Sequence, residues 1–181
     1  MLDKELYPFK SHYLTINGLR YHYLDEGQGE AIVMVHGNPT WSFYYRNLVK
    51  ALRPHYRVIV PDHIGMGLSD KPDDAHYKYT FPQRVEDLGK LIDHLGLKSF
   101  TLIGHDWGGI IGTAYASLNP EKINGMVMLN TAGFMWPLNK RLPFALALCR
   151  IPFVSAFFIR GLNTFKVLMP GQFSNLTHLT D

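Results

Sequence analysis

The amino-acid sequence predicts an α/β fold in which a mostly parallel sheet carries helices on both faces. Three observations support this prediction. The chain opens with a hairpin pattern, short apolar segments then alternate with segments of helical spacing, and one apolar segment leads through a glycine-rich turn into a helix. A repeated order of strand, helix and strand makes the strands parallel, because each helix carries the chain back along the sheet.

The first predicted element is a β-hairpin. Its strands are expected at Tyr13 to Ile16 and at Leu19 to Leu24. Asn17 and Gly18 join them, and both residues readily adopt the positive φ angles of a type I′ turn. A strand that is covered on both faces is expected at Ala31 to Val35, since every residue there is apolar.

The pattern continues with two helices on either side of a strand. Apolar spacing predicts a helix over Trp41 to Leu52, and a strand follows at Arg57 to Val60. A second helix is expected to begin near Pro82, with Thr80 as its cap, and to end at Gly96. The residues of its predicted buried stripe are Val85, Leu88, Leu91, Ile92 and Leu95.

Two strands and a helix complete the predicted core. The strands are expected at Ser99 to Ile103 and Ile123 to Leu129, with a helix from about Gly109 to Leu118 between them. Beyond these strands, prolines stand among aliphatic and aromatic residues with helical spacing and no strand pattern. We therefore predict a core over residues 1–132 and the start of a helical layer over residues 133–181.

Composition limits the partners and the location that we expect. The 18 basic and 15 acidic residues give a net charge of +3, and they are interspersed, which argues against a nucleic-acid partner. The apolar stretch from Leu142 to Ile159 contains two prolines and Arg150, so no membrane span is expected. The first residues lack a secretory pattern and Cys149 is the single cysteine. A cytoplasmic location without disulfides is the prediction.

The strongest catalytic signal is the segment 104–109, Gly-His-Asp-Trp-Gly-Gly, between a predicted strand and a predicted helix. Two glycines that flank a nucleophile at this spacing are typical of a nucleophile elbow, which projects its central side chain at the carboxyl end of a sheet. Here that side chain is Asp106, a carboxylate that is ionised at neutral pH without the help of a base. The structural alternative is that Asp106 only caps the helix.

A second signal is His36-Gly37-Asn38-Pro39, directly after the strand Ala31 to Val35. The backbone N–H groups of Asn38 and Trp107 are predicted to form an oxyanion hole beside the nucleophile. Their carboxamide and indole N–H groups are additional donors suited to a departing anion. Trp107 taken alone is more typical of core packing, whereas the pair together favours the catalytic interpretation.

Two other patterns receive structural interpretations. The glycine-containing segment Asp62 to Asp70 is predicted to be a structural turn close to the first loop. The remaining histidines have no spacing typical of a metal site. No cofactor and no metal are predicted.

Together, these segments resemble the haloalkane-dehalogenase-like branch of the α/β-hydrolases. The similarity covers about Tyr13 to Thr131 and is most specific at His36 to Trp41, Pro61 to Asp74 and Gly104 to Gly109. With Tyr77 to Thr80 included, the chain is most similar to the β-lactone decarboxylases of bacterial olefin biosynthesis. Those enzymes convert a cis-3,4-dialkyl-oxetan-2-one into a cis-alkene and carbon dioxide.

The resemblance implies the α/β-hydrolase fold and a cofactor-free enzyme that acts on an apolar small molecule. In haloalkane dehalogenases the residues that match Asn38 and Trp107 bind the departing halide, and the aspartate that matches Asp106 forms an alkyl ester. Lactone decarboxylation is the first expected activity and dehalogenation the second. Epoxide hydrolysis is less favoured, since epoxide hydrolases usually have an aromatic residue where this chain has Asn38. A non-catalytic ligand-binding protein of the same fold is a further alternative.

The resemblance also implies catalytic residues that lie later than this sequence reaches. The family's catalytic histidine follows the helical cap, and this chain ends at Asp181 inside the expected cap. Some relatives carry the catalytic acid where this chain has Asn130, which is not anionic, so the acid is also expected later. The 181-residue chain alone is therefore expected to be inactive. The aromatic residues expected in the cap are Phe134, Trp136, Phe144, Phe153, Phe157 and Phe158.

Overall fold

A computed structural model describes residues 4–133 of the chain. Within this range six strands form one sheet, in the order β1-β2-β4-β3-β5-β6. The strands are β1 Ser11–Ile16, β2 Leu19–Glu26, β3 Ala31–Val35, β4 Arg57–Pro61, β5 Phe100–His105 and β6 Ile123–Leu129, and the helices are α1 Arg46–Leu52, α2 Phe81–His94 and α3 Trp107–Leu118. The predicted helical layer, its aromatic residues and Cys149 lie outside the described residues.

The amino-terminal hairpin forms as the sequence predicts. β1 and β2 are antiparallel, and Ile16 pairs with Leu19 across the turn. Asn17 and Gly18 have φ angles of 51° and 82°, as a type I′ turn requires. β2 also pairs antiparallel with β4, so the hairpin extends a sheet whose other strands are parallel.

β3 lies at the centre of the sheet, and all five of its residues are buried. Side chains that alternate along a strand point to opposite faces. Val33 packs in the core that includes α2 and α3, whereas Met34 packs in the core that includes α1. Helices therefore cover both faces of the strand, which is why its sequence is apolar throughout.

The predicted helix over Trp41 to Leu52 is divided in the structure. A 3₁₀ turn occupies Ser42–Tyr45 and α1 follows it. The Ser42 N–H donates to Asp62 Oδ1 at 2.7 Å, so a side chain from a different loop fixes the start of the turn. α3 also differs, because it begins at Trp107, directly after the elbow.

The sheet order places the ends of β3 and β5 side by side. The chain leaves β3 for α1 on one face of the sheet, and it leaves β5 for α3 on the other face. Loops that diverge in this way leave a crevice at the carboxyl ends of the strands, where open α/β sheets bind their ligands. Asn38 and Asp106 follow β3 and β5 at these carboxyl ends.

No helix within residues 4–133 is long and apolar enough to cross a membrane. The same residues contain no group of three or more histidine, cysteine or acidic side chains placed to hold a metal ion.

Candidate active site

Asp106 occupies a tight turn between β5 and α3. Its φ and ψ angles are 52° and −126°, a combination that residues with a side chain rarely adopt. Hydrogen bonds hold the backbone there: its N–H donates to the Leu129 carbonyl at 3.4 Å, and its carbonyl accepts from the Gly109 N–H at 3.1 Å and from the Thr131 hydroxyl. The half-buried side chain lies at the amino end of α3, where the helix dipole stabilises negative charge.

The glycines of the elbow are required by close packing. A Cβ atom on Gly104 would overlap the backbone of Gly109, and a Cβ atom on Gly108 would overlap the Val35 carbonyl. The start of α3 thus packs against both β5 and β3 without intervening side chains. This contact brings the elbow next to the loop that follows β3.

The structure brings Asn38 directly onto Asp106. The Asn38 backbone N–H donates to Asp106 Oδ1 at 2.9 Å. The side chain of Asn38 is exposed, and that of Trp107, the first residue of α3, is 47% exposed. The three predicted site residues therefore lie together at the ends of β3 and β5, with a backbone donor on the carboxylate.

Gly37 is the residue that allows this close approach. A Cβ atom at this position would overlap both the Cβ and the Oδ1 atom of Asp106. The Gly37 carbonyl accepts from the Thr40 N–H at 3.1 Å and from the Thr40 hydroxyl at 3.0 Å. Hydrogen bonds from Thr40 therefore hold one side of the Gly37 peptide, and the other side packs directly against the carboxylate of Asp106.

The segment Asp62 to Asp70, predicted as a structural turn, is organised around a buried anion. Asp62 has no exposed surface, and it accepts from the Leu68 N–H at 2.8 Å and from His22 Nδ1 at 2.9 Å. Burial by itself raises the pKa of Asp62, but the hydrogen bond from His22 and the one from Leu68 hold that pKa below its ordinary value. The sequence motif predicted the turn. It did not reveal that the Asp62 carboxylate also binds residues from distant parts of the chain, such as His22.

Two buried histidines, His36 and His63, lie beneath the Asn38 loop, and the sequence analysis assigned neither of them a role. The His63 N–H donates to His36 Nε2 at 3.1 Å, and His63 Nε2 donates to the His36 carbonyl at 3.1 Å. Burial lowers the pKa of His36, and it lowers that of His63 well below its ordinary value. Each histidine follows the carboxyl end of a neighbouring strand, and that placement is the signal that could have identified them.

His105, the last residue of β5, stacks on the aromatic ring of Tyr44. Its ring lies 4.3 Å from that of Tyr44, with an angle of 20° between the two planes. Tyr44 belongs to the 3₁₀ turn that follows the Asn38 loop. This stack is a second contact between the elbow and the segment that follows β3.

A family model described as alpha/beta hydrolase fold matches residues 30–147. The chain belongs to this family. The sheet order and the elbow that follows β5 agree with the α/β-hydrolase fold expected from the sequence.

Two individual relatives show which members of the family this chain is similar to. The chain is 55% identical over 167 residues to a cis-3-alkyl-4-alkyloxetan-2-one decarboxylase of Shewanella oneidensis, covering 92% of this chain and 52% of that protein. It is 43% identical over 135 residues to haloalkane dehalogenase 2 of Mycobacterium tuberculosis, covering 75% of this chain and 46% of that protein. The chain spans about half the length of the curated relatives it matches.

A solved structure gives the same grouping. The haloalkane dehalogenase DatA of Agrobacterium tumefaciens superimposes with a TM-score of 0.75 at 29% sequence identity, covering 86% of this chain and 54% of that one. The membership of the α/β-hydrolases and the neighbourhood of haloalkane dehalogenases, both expected from the sequence motifs, are confirmed.

Proposed function

We propose that this chain supplies the nucleophile of an α/β-hydrolase-fold enzyme and that the nucleophile is Asp106. The observation that carries the proposal is the hydrogen bond of 2.9 Å from the Asn38 N–H to Asp106 Oδ1, at the amino end of α3. The strained backbone of Asp106 supports the proposal, since strain of this kind is concentrated at functional sites. Trp107 would supply the second backbone donor and, with Asn38, side-chain donors for a leaving anion.

The proposed substrate is an apolar β-lactone, specifically a cis-3,4-dialkyl-oxetan-2-one. Support comes from the name of the Shewanella oneidensis relative, which is 55% identical. A carboxylate is a weak nucleophile, so a strained ring with its own leaving group suits it. The reaction needs no cofactor, because the bonds that break supply all the electron pairs of the products.

The proposed reaction has two steps. Asp106 Oδ attacks the saturated ring carbon that carries the ring oxygen, the bond between that carbon and the ring oxygen breaks, and the ring opens to a carboxylate that remains attached through the neighbouring carbon. That carboxylate then leaves as carbon dioxide, its C–C electron pair forms the alkene, and the bond to Asp106 breaks to restore the free carboxylate. Inversion in the first step and anti elimination in the second together convert a cis-lactone into a cis-alkene.

Dehalogenation is the second candidate. It is favoured by the two exposed donor side chains beside Asp106 and by the 43% identical dehalogenase of Mycobacterium tuberculosis. In that reaction Asp106 displaces a halide to form an alkyl ester, and water then hydrolyses the ester. The two candidates share the first covalent step and differ in what leaves.

The first prediction tests the nucleophile and separates the two candidates. The full-length protein is incubated with a cis-dialkyl β-lactone and, separately, with a bromoalkane, and alkene and bromide are measured. We expect alkene from the lactone, and we expect Asp106→Asn to abolish its formation because a neutral amide cannot attack. The matched control is Asp93→Asn, which neutralises an exposed carboxylate at the end of α2 and should retain wild-type rates.

Each alternative outcome of this experiment is informative. Bromide release that Asp106→Asn abolishes would favour dehalogenation. Turnover that survives in Asp106→Asn would contradict the nucleophile. Absence of both products from the wild-type protein would favour a non-catalytic ligand-binding protein of the same fold.

A further inference from the structure

The orientation of the Asn38 N–H depends on the peptide bond that it shares with the Gly37 carbonyl. A trans peptide is planar, and its C=O and N–H groups point in opposite directions. Whatever fixes the Gly37 carbonyl therefore fixes the direction of the Asn38 N–H. The N–H points at Asp106 Oδ1, at 2.9 Å.

Thr40 binds that carbonyl from within the loop, through its N–H at 3.1 Å and its hydroxyl at 3.0 Å, and His36 binds it from inside the protein. Its Nδ1 lies 2.8 Å from the Gly37 oxygen, and a carbonyl only accepts hydrogen bonds, so Nδ1 carries a proton. Its Nε2 accepts from the His63 N–H at 3.1 Å, so Nε2 carries none. The hydrogen bonds therefore define one neutral tautomer of His36, with the proton on Nδ1.

His63 keeps the ring of His36 in this position. It donates to the His36 carbonyl through Nε2, and its backbone N–H supplies the donor for His36 Nε2. The two ring centroids are 4.4 Å apart, and the relative exposure of the residues is 0% for His36 and 1% for His63. Solvent has no access to the pair, and a proton on His36 Nε2 would oppose the His63 N–H.

We propose that His36 is a positioning residue for the nucleophile: it aims the Asn38 N–H at Asp106 through the Gly37 carbonyl, and His63 locks it in the required tautomer. This inference rests on the proposed function for its kinetic consequence, but its geometric part does not. The charged and titratable groups that act on His36 are Asp62, Arg84, His63 and His105.

The second prediction concerns kinetics in the full-length protein. His36→Leu removes the donor to the Gly37 carbonyl, whereas His36→Asn places an amide N–H near the position of Nδ1. We expect kcat of His36→Leu to fall by about tenfold or more, up to the 10²–10³-fold that loss of a complete oxyanion donor costs, while KM changes less than about twofold. His36→Asn should recover most of the loss, which a role limited to packing would not produce.

A spectroscopic measurement tests the geometry without turnover. Nitrogen-15 NMR of the wild-type full-length protein at neutral pH should show His36 protonated on Nδ1 alone. The Asn38 amide proton should show the downfield shift of an N–H bound to a carboxylate, and that shift should be lost in His36→Leu and kept in His36→Asn.

The outcomes separate this inference from the proposed function. Wild-type turnover with an unchanged kcat in His36→Leu, or a proton on His36 Nε2, would overturn the positioning role and leave Asp106 as the nucleophile. An inactive wild-type protein whose His36 carries the Nδ1 proton would count against the proposed function while supporting the positioning geometry. If His36→Leu fails to fold, a proton on Nε2 of His36 in the wild-type protein, or a kcat of His36→Asn reduced more than about tenfold, would still overturn the positioning role.

Discussion

Single residues set the geometry of the site through contacts that leave no space for another atom. Gly37 lies against the carboxylate side chain, and Gly104 lies against the backbone of Gly109. Both are glycines because of what faces them, since neither has a positive φ angle. The sequence predicted that these positions lie in loops. Glycine is required at each of them because an atom of a residue more than four positions away occupies the space of a Cβ atom.

The third prediction is that Gly37→Ala displaces the carboxylate of Asp106. The added methyl group overlaps Asp106 Cβ and Oδ1, so either the loop or Asp106 must move by about 1 Å. A misplacement on that scale can cost about 10²-fold in rate, and we expect a loss of that order in kcat for alkene formation. The matched control is Gly125→Ala, since nothing lies within 4 Å of a Cβ at Gly125. Equal rates for both variants would contradict the contact.

The observed bounds of strands and helices agree closely with the predicted ones where the prediction depends on a local sequence pattern. β3 and β6 have the bounds predicted from apolar runs, and α2 begins next to its predicted cap. The segment before α1 departs from prediction, because the Ser42 N–H binds Asp62 and a 3₁₀ turn forms. A helical periodicity cannot reveal a competing acceptor that another loop supplies.

The fourth prediction concerns the cap of α2. The Thr80 side chain accepts from the Gln83 N–H at 3.4 Å, a long hydrogen bond. Caps of this kind contribute about 0.5–2 kcal/mol, and the length of this one favours the lower end. Thr80→Ala should lower the free energy of unfolding in urea by about 0.5–1 kcal/mol, whereas Thr80→Ser retains the acceptor and should lose less. Equal stability of Thr80→Ala and the wild type would show that the cap contributes nothing.

At the scale of the whole molecule, the sheet separates two apolar cores, and buried polar groups lie at the end where its loops meet. Val33 and Leu88 belong to one core, and Met34 and Val49 to the other. His36, Asp62 and His63 have at most 1% of their surface exposed. Because such groups bind protons differently in the folded and unfolded chain, they make global stability depend on pH.

The fifth prediction is that stability falls as the pH drops below about 6.5, the ordinary pKa of histidine. Burial lowers the pKa of His36 and of His63, so both stay neutral in the folded protein while the unfolded chain binds protons. The contribution of these two neutral histidines to the free energy of unfolding is fully present above about pH 6.5. It decreases as the pH falls toward their pKa values in the folded protein. A histidine whose folded pKa lies well below the pH, as that of His63 does, contributes a slope of up to about 1.4 kcal/mol per pH unit.

Urea unfolding between about pH 5 and pH 7 measures this slope. His63→Gln removes one titrating group and should reduce the slope by about 1.4 kcal/mol per pH unit. His94→Gln, at an exposed position near the end of α2, is the control and should leave the slope unchanged. The raised pKa of Asp87, caused by burial, acts in the opposite direction but is common to all three proteins. An unchanged slope in His63→Gln would contradict the buried neutral state of His63.

The sequence by itself determined the strands, most helix bounds, the elbow and the family, because each depends on periodicity or on a motif within a few residues. Tertiary structure alone decided that β3 lies between β4 and β5, that the Asn38 N–H reaches Asp106, and that His36 pairs with His63. These contacts join residues 27 and 68 positions apart. Local pattern fixes the conformation of a segment, whereas the partner of a buried donor is set by which segments the packed sheet brings together.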